Sequence, residues 1–343
     1  MYRKSLTALG AAVVVSLALS GCSGSAAADP DAAEVTSIRY QGAPNSVGLI
    51  EVAAELGYLD DLTLDWVSNT TSGPQSIQSV ATDETDIGGA FSGAVVNLIE
   101  AGAPVTAVIN YYGEDDLTFT GYYVLDDSPI RTARDLIGKK IGVNTLGAHH
   151  EAVITTYLQD SGLTPQEIAQ VELVVVPPND TELAVRRDQL DVGTLGGVLQ
   201  DNAVAVGGLR ALFTDIGVVG GPFDAGQYVL RNDFIEANPT TSKKLVTGIA
   251  KAIEWQRDTP VDEVIATFTK IIDERGRNES TATLKYWKSV GIARTGGEIT
   301  DEDFTRWAGW LKESGAVTTK LNPASYYTNA FNGLLDGTAT AKD

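Results

Sequence analysis

The chain has 343 residues, 45 of them acidic and 25 basic, for a formal net charge of −20, with 43% apolar and 20% charged residues. This is ordinary globular material, and its acidity excludes a nucleic-acid binder, whose phosphates such a field repels. A single cysteine excludes a disulfide framework, a cysteine metal cluster and a thiolate nucleophile in the folded part.

In chain order the first feature is a targeting segment. Arg3 and Lys4 precede an apolar run over residues 6–19, too short to span a membrane. Leu19-Ser20-Gly21-Cys22 ends it and resembles a bacterial lipobox. That implies a lipoprotein signal peptide over residues 1–21, cleavage before Cys22 and a lipid on that cysteine. Residues 22–35, rich in Ser, Ala and Asp, read as a flexible tether. Processing leaves a net charge of about −22 and roughly 310 residues, enough for two α/β lobes. Met1 is the only methionine, so the processed chain keeps one sulfur atom, on Cys22. Such economy suits a protein made when sulfur is scarce.

From residue 36 strands alternate with helices. A strand over 37–41 leads to a helix opened by Ser46 and ending at Gly57, with Val47, Ile50 and Ala54 on one face. A strand over 62–67, the turn Thr71-Ser72-Gly73-Pro74 and a second helix follow. Next come a strand over 86–91, a helix opened by Ser92 and a strand over 105–110. A second series begins near Asp126, with strands over 141–143, 171–176, 192–195 and 211–213 and helices over 151–161, 180–187 and 199–206. A strand over 227–230 returns to the first series. Beyond Pro239 the pattern is mostly helical, and Trp255, Trp287, Trp307 and Trp310 read as packing residues. The alternation predicts βα units and mainly parallel sheets.

Asp127-Ser128-Pro129-Ile130 followed by Asp135-Leu136-Ile137-Gly138-Lys139-Lys140-Ile141-Gly142-Val143 is the most specific motif. With it stand Asp86-Ile87-Gly88, Ala101-Gly102-Ala103-Pro104, Gln189-Leu190-Asp191-Val192 and Asn238-Pro239. Over residues 36–335 these resemble the solute-binding lipoproteins of ABC importers for sulfonates, taurine and nitrate, which are related in fold to thiamine-pyrimidine-binding proteins. The resemblance implies a periplasmic-binding-protein type II fold, two α/β lobes joined by two crossover strands and closing on a ligand. Lobe 1 would hold residues 36–125 and 228–343, and lobe 2 residues 126–227. The resemblance also implies a monomer outside the cytoplasm, anchored to the cell membrane through Cys22, working with permease and ATPase subunits. No cofactor is implied.

In open α/β sheets ligands lie beyond the carboxyl ends of the strands. The loops found there hold Gln41, Asn45 and Ser46; Thr70 and Ser72; Phe91 and Ser92; Asn110, Tyr111 and Tyr112; Thr145, Gly147, Ala148 and His149; and Thr194. Hydroxyls, amides and aromatics dominate, and charge is scarce. Helix starts at Ser46, Ser92 and 145–149 would offer free N–H groups to an anion. Ser92, Thr70 and Thr145 read equally as plain helix caps.

His149 and His150 are the only histidines and fall in one helical turn. Adjacent helical residues point about 100° apart, so the pair does not suit one metal ion, and no metal site is expected. His149 is the one expected to reach the ligand, with His150 at the surface or packed locally. Asp215 and Asp224, in a glycine-rich stretch, are candidates for holding an ammonium group.

An enzyme on this fold is the main rival, since resembled relatives include a desulfinase with a cysteine nucleophile. Here Cys22 lies in the tether, and no Gly-x-Ser-x-Gly elbow, dinucleotide motif or phosphate loop is present. Binding without chemistry is the better reading. The expected ligand is a small organosulfonate, taurine included. A thiamine-precursor pyrimidine, stacked on Phe91 and Tyr111 or Tyr112, or nitrate are the alternatives.

Overall fold

The computed structural model describes residues 33–341 apart from 316 and 319. The expected signal peptide, Cys22 and the tether up to residue 32 lie outside the described residues.

The first run of elements is β1 (Ser37–Gly42), α1 (Leu49–Glu55), β2 (Thr63–Asn69), α2 (Gly73–Ala81), β3 (Ile87–Phe91), α3 (Ser92–Glu100) and β4 (Val105–Glu114). The second is β5 (Thr120–Leu125), β6 (Lys140–Val143), α4 (His149–Asp160), α5 (Pro165–Ile168), β7 (Glu172–Val175), α6 (Pro178–Arg186), β8 (Val192–Gly196), α7 (Gly197–Val206) and β9 (Leu209–Thr214). Then follow α8 (Asp215–Val219), β10 (Phe223–Arg231), α9 (Asn232–Ala237), α10 (Pro239–Asp258), α11 (Val261–Glu274), α12 (Asp301–Thr305) and α13 (Ala308–Glu313).

These strands form two five-stranded sheets, ordered β2-β1-β3-β10-β4 and β7-β6-β8-β5-β9. In the first, β1 runs parallel to β2 and β3, while β10 runs antiparallel to β3 and β4. In the second, β6 runs parallel to β7 and β8, while β5 runs antiparallel to β8 and β9. Each sheet is therefore mainly parallel with one reversed strand, and that strand is the one arriving from the other sheet. The α/β class with two helix-flanked sheets is as the alternation predicts.

The crossings differ from the expected boundaries at 126 and 228. The chain leaves the first sheet at residues 115–119 and returns at 215–222. β5 was not among the expected strands, although the polar run at residues 113–116 breaks the apolar sequence around it. The break is a tight turn in which Asp115 Oδ1 accepts from the amides of Leu117 (2.7 Å) and Thr118 (2.8 Å).

Packing explains the local sequence. All five residues of β3 are buried, as befits a central strand. A Cβ at Gly88 would stand 2.6 Å from the Ser76 carbonyl, so only glycine lets α2 lie this close on β3. Trp307 and Trp310 are buried and meet the Phe91 ring edge-on at 4.7 and 5.8 Å. These two tryptophans pack as expected. Trp287 does not sit on a helix; it follows a 3-10 turn at Leu284–Tyr286 and reaches the cavity described next. Among the described residues no helix is long and apolar enough to cross a membrane.

Candidate functional site

The loops at the carboxyl ends of β1, β2, β3, β4 and β6 converge on a cavity of about 530 Å³ between the two sheets. Segment 284–290, after α11, supplies Trp287, Ser289 and Val290 to its wall. Loops from the two sheets touch across it. Ser72 Oγ and Thr145 Oγ1 are 3.1 Å apart, and Asn144 Nδ2 donates to the Thr71 carbonyl at 2.8 Å. Lys288 Nζ meets Asp201 at 2.7 Å.

Ten of the expected ligand contacts line this cavity: Gln41, Asn45, Ser46, Thr70, Ser72, Phe91, Tyr111, Thr145, Ala148 and His149. Ser92, Asn110, Gly147 and Thr194 do not. Ser92 is fully buried; its hydroxyl donates to the Ala225 carbonyl at 3.1 Å and accepts from Gln227 Nε2 at 2.9 Å. Asn110 donates to the Glu298 carbonyl at 2.7 Å and accepts from Gln227 at 2.7 Å. Both side chains bond Gln227 of β10, and Asn110 also ties the C-terminal region to the first sheet. Thr194 is buried on β8 opposite Tyr122 of β5. Gly147 makes the turn itself, with φ +69° and its amide donating to Glu151 Oε2 at 2.8 Å. No atom lies within 4 Å of where its Cβ would stand, so the backbone alone demands glycine.

The helix starts divide similarly. Ser46 precedes α1 and does not cap it; Gly48 does, with Glu51 Oε2 accepting from its amide at 3.0 Å. Ser72 caps α2, accepting from the Gln75 amide at 3.4 Å. α4 opens at Ala148 with no side-chain cap, beside the cavity.

Aromatic rings form much of the wall: Tyr40, Phe91, Tyr111, Tyr112, Tyr228, Phe268 and Trp287. Tyr111 stacks on Tyr228 at 4.2 Å, and Tyr112 stands edge-on to Tyr111 at 4.9 Å. Burial pushes the Tyr111 and Tyr228 phenols upward, so both remain neutral donors. Among the described residues no lysine or arginine lines the cavity, whereas the carboxyl groups of Glu51 and Glu114 do. Glu51 is already matched: Tyr40 donates to it at 2.8 Å and Arg275 at 3.0 Å, with Arg277 at 3.4 Å.

Glu114 is not matched by any cation. The reading of the sequence missed it, although it closes β4 three residues after Tyr111. Beside it lie His149 and, behind, Asp215. His149 Nδ1 is 4.0 Å from Glu114 Oε1, and Nε2 is 3.6 Å from Asp215 Oδ2. All three side chains are buried. Thr120 bridges the carboxyls: its hydroxyl donates to Glu114 at 3.2 Å and its amide to Asp215 at 3.1 Å. The Ile216 amide also donates to Asp215, at 2.7 Å. Burial, then the Asp215 charge, holds Glu114 well above the usual carboxyl range, and burial pushes Asp215 up to about 7. Burial likewise depresses His149 well below its ordinary value and His150 to about 4, leaving both imidazoles neutral at pH 7. His150, expected at the surface or packed locally, also lines the cavity. Asp224, the other ammonium candidate, is taken by Arg294 at 2.8 Å and by the Ala293 amide at 2.8 Å.

A family model described as NMT1/THI5 like matches residues 43–263. No curated protein matches the sequence. Among solved structures, the alkanesulfonate-binding protein SsuA from Xanthomonas axonopodis pv. citri, bound to MOPS, superposes with a TM-score of 0.65 at 18% identity, covering 87% of this chain and 99% of that one. The periplasmic nitrate-binding protein NrtA from Synechocystis gives 0.63 at 13% identity, covering 85% of each chain. The desulfurization enzyme DSZB gives 0.60 at 16% identity, covering 89% of this chain and all of that one. At such identities the likeness is one of fold, and it includes binding proteins and an enzyme alike.

Proposed function

The chain belongs to the NMT1/THI5-like family, and from that premise we propose that it is the extracytoplasmic solute-binding component of an ABC importer. It takes a small solute into the cavity between its sheets and delivers it to permease and ATPase subunits. In this reading it is a monomer held at the cell membrane by a lipid on Cys22, and it performs no chemistry. A cysteine nucleophile of the desulfinase kind has no counterpart, since the chain's only cysteine is Cys22.

The solute is a planar, neutral or weakly basic heterocycle of the aminopyrimidine class. One observation carries this choice: the cavity has aromatic walls and two carboxyl groups but no lysine or arginine side chain. A ring stacks on such walls, and its amino groups donate to amides and carboxyls. Nitrate, small and fully charged, fits them worst. The organosulfonate expected from the sequence remains the second reading. It is favoured by the uncapped start of α4 beside the Ser72 and Thr145 hydroxyls, where a sulfonate would accept hydrogen bonds.

Titration calorimetry with 4-amino-5-hydroxymethyl-2-methylpyrimidine, taurine, short alkanesulfonates and nitrate separates the two. Binding of the pyrimidine alone is the expected result. Binding of one sulfonate alone would replace the first reading by the second, and heat from none of them would contradict both.

A further inference from the structure

The cluster beneath the cavity has a chemistry of its own, and it bears on which solute is carried, because Glu114 lines the cavity. One imidazole nitrogen of His149 and one oxygen from each of Glu114 and Asp215 lie within 4.8 Å of one another. These are residues 114, 149 and 215, brought together from the end of β4, the start of α4 and the start of α8.

Three features distinguish this cluster from a plain polar contact. His149 is 6% exposed, and its Nε2 is buried without a hydrogen-bond partner; the nearest acceptor, Asp215 Oδ2, stands off at 3.6 Å. The ring lies between aromatic neighbours, stacked on Phe91 at 5.5 Å and edged by Phe223 at 5.7 Å. Third, among the described residues no lysine or arginine pairs with either of the two buried carboxyl groups that share the site. Buried carboxyl groups without a basic partner either hold a proton or bind a metal.

We propose that Glu114, His149 and Asp215 form a binding site for a divalent transition-metal ion of the Zn²⁺ or Mn²⁺ class at the floor of the cavity. Two donors bound at about 2.1 Å to one ion stand roughly 3.4 Å apart, close to the Nε2–Oδ2 separation. One nitrogen and two oxygens, without sulfur, suit a borderline or hard ion and leave coordination positions free. Glu114, Thr120 and His149 all border the cavity, so the ion enters from it and keeps an open side towards it. The ion's positive charge would favour the sulfonate of the second reading over the pyrimidine of the first.

The test uses chelator-stripped protein titrated with Zn²⁺, Mn²⁺ and Mg²⁺, in the absence of any solute. The expected result is one tight equivalent of Zn²⁺ or Mn²⁺, with Mg²⁺ far weaker. Affinity should fall at least ~10–100-fold in Glu114→Gln and in His149→Gln, while Asp233→Asn, an exposed carboxylate elsewhere, changes nothing. Anomalous diffraction from a Zn²⁺-soaked crystal serves even where a variant misfolds. Density between the three side chains is expected. No stoichiometric binding, undiminished binding in both variants, or an ion found only on the acidic surface would overturn the assignment.

Discussion

Glu51 shows how one side chain can hold a wall of the cavity. It sits in the first helix of the domain, buried, and gathers Tyr40, Arg275, Arg277 and the Gly48 amide. Arg275 comes from beyond α11, 224 residues away, and its side chain is only 8% exposed. Removing one partner of a buried ion pair strands the other. Glu51→Ala should therefore cost about 3–5 kcal/mol in a urea-unfolding experiment, and a loss under 1 kcal/mol would show that water replaces the carboxylate freely. At this scale the sequence was half legible. Placing a residue after a strand finds the right loop, but the pleat decides which face the side chain takes. Asn110 turns away while Tyr111 faces the cavity. A register shift opposite Gly226 and Gln227 then leaves Tyr111 without a partner on β10 and brings Tyr112 to the same wall. Nothing in the order of letters announces a bulge.

At the scale of elements, the turn between β6 and α4 answers why two histidines sit beside a glycine. Gly147 reverses the chain so that α4 begins at His149, with its first residues under the cavity. The same turn carries Asn144 and Thr145 to the loop after β2, where they bond Thr71 and Ser72. With the Lys288–Asp201 pair, these contacts join the two sheets across the cavity. Each such hydrogen bond is worth about 0.5–1.5 kcal/mol. Asn144→Ala and Thr145→Ala should each release solute about 2- to 10-fold faster, with the association rate nearly unchanged. Stopped-flow dissociation measures this, and an unaltered off-rate in both variants would remove the latch from the account. The alternation of strands and helices was readable here because period-2 and period-3.6 patterns are local. The entry of the chain into the second sheet was not, because β4 and β5 are both rich in apolar residues and only five residues, 115–119, separate them. Likewise, the C-terminal segment bearing Trp287 has no periodicity to betray that it closes the cavity.

For the whole molecule, the two sheets, their reversed strands and the family likeness describe one device: two α/β halves, crossed twice by the chain, with a cavity between them. The halves were visible in the sequence as two series of βα units. The nature of the solute was not, because the lining is assembled from residues 40 to 290, far apart in the chain. The net charge of −20 weakens the hold on any anion. Function of this kind requires the halves to part and close. Small-angle X-ray scattering on the protein, with and without a saturating solute identified by calorimetry, tests that most directly. The account predicts a smaller radius of gyration with solute, since closure brings the loops at Ser72 and Thr145 together. An unchanged radius at saturation would contradict it, and would mean that the solute binds without bringing the two halves together.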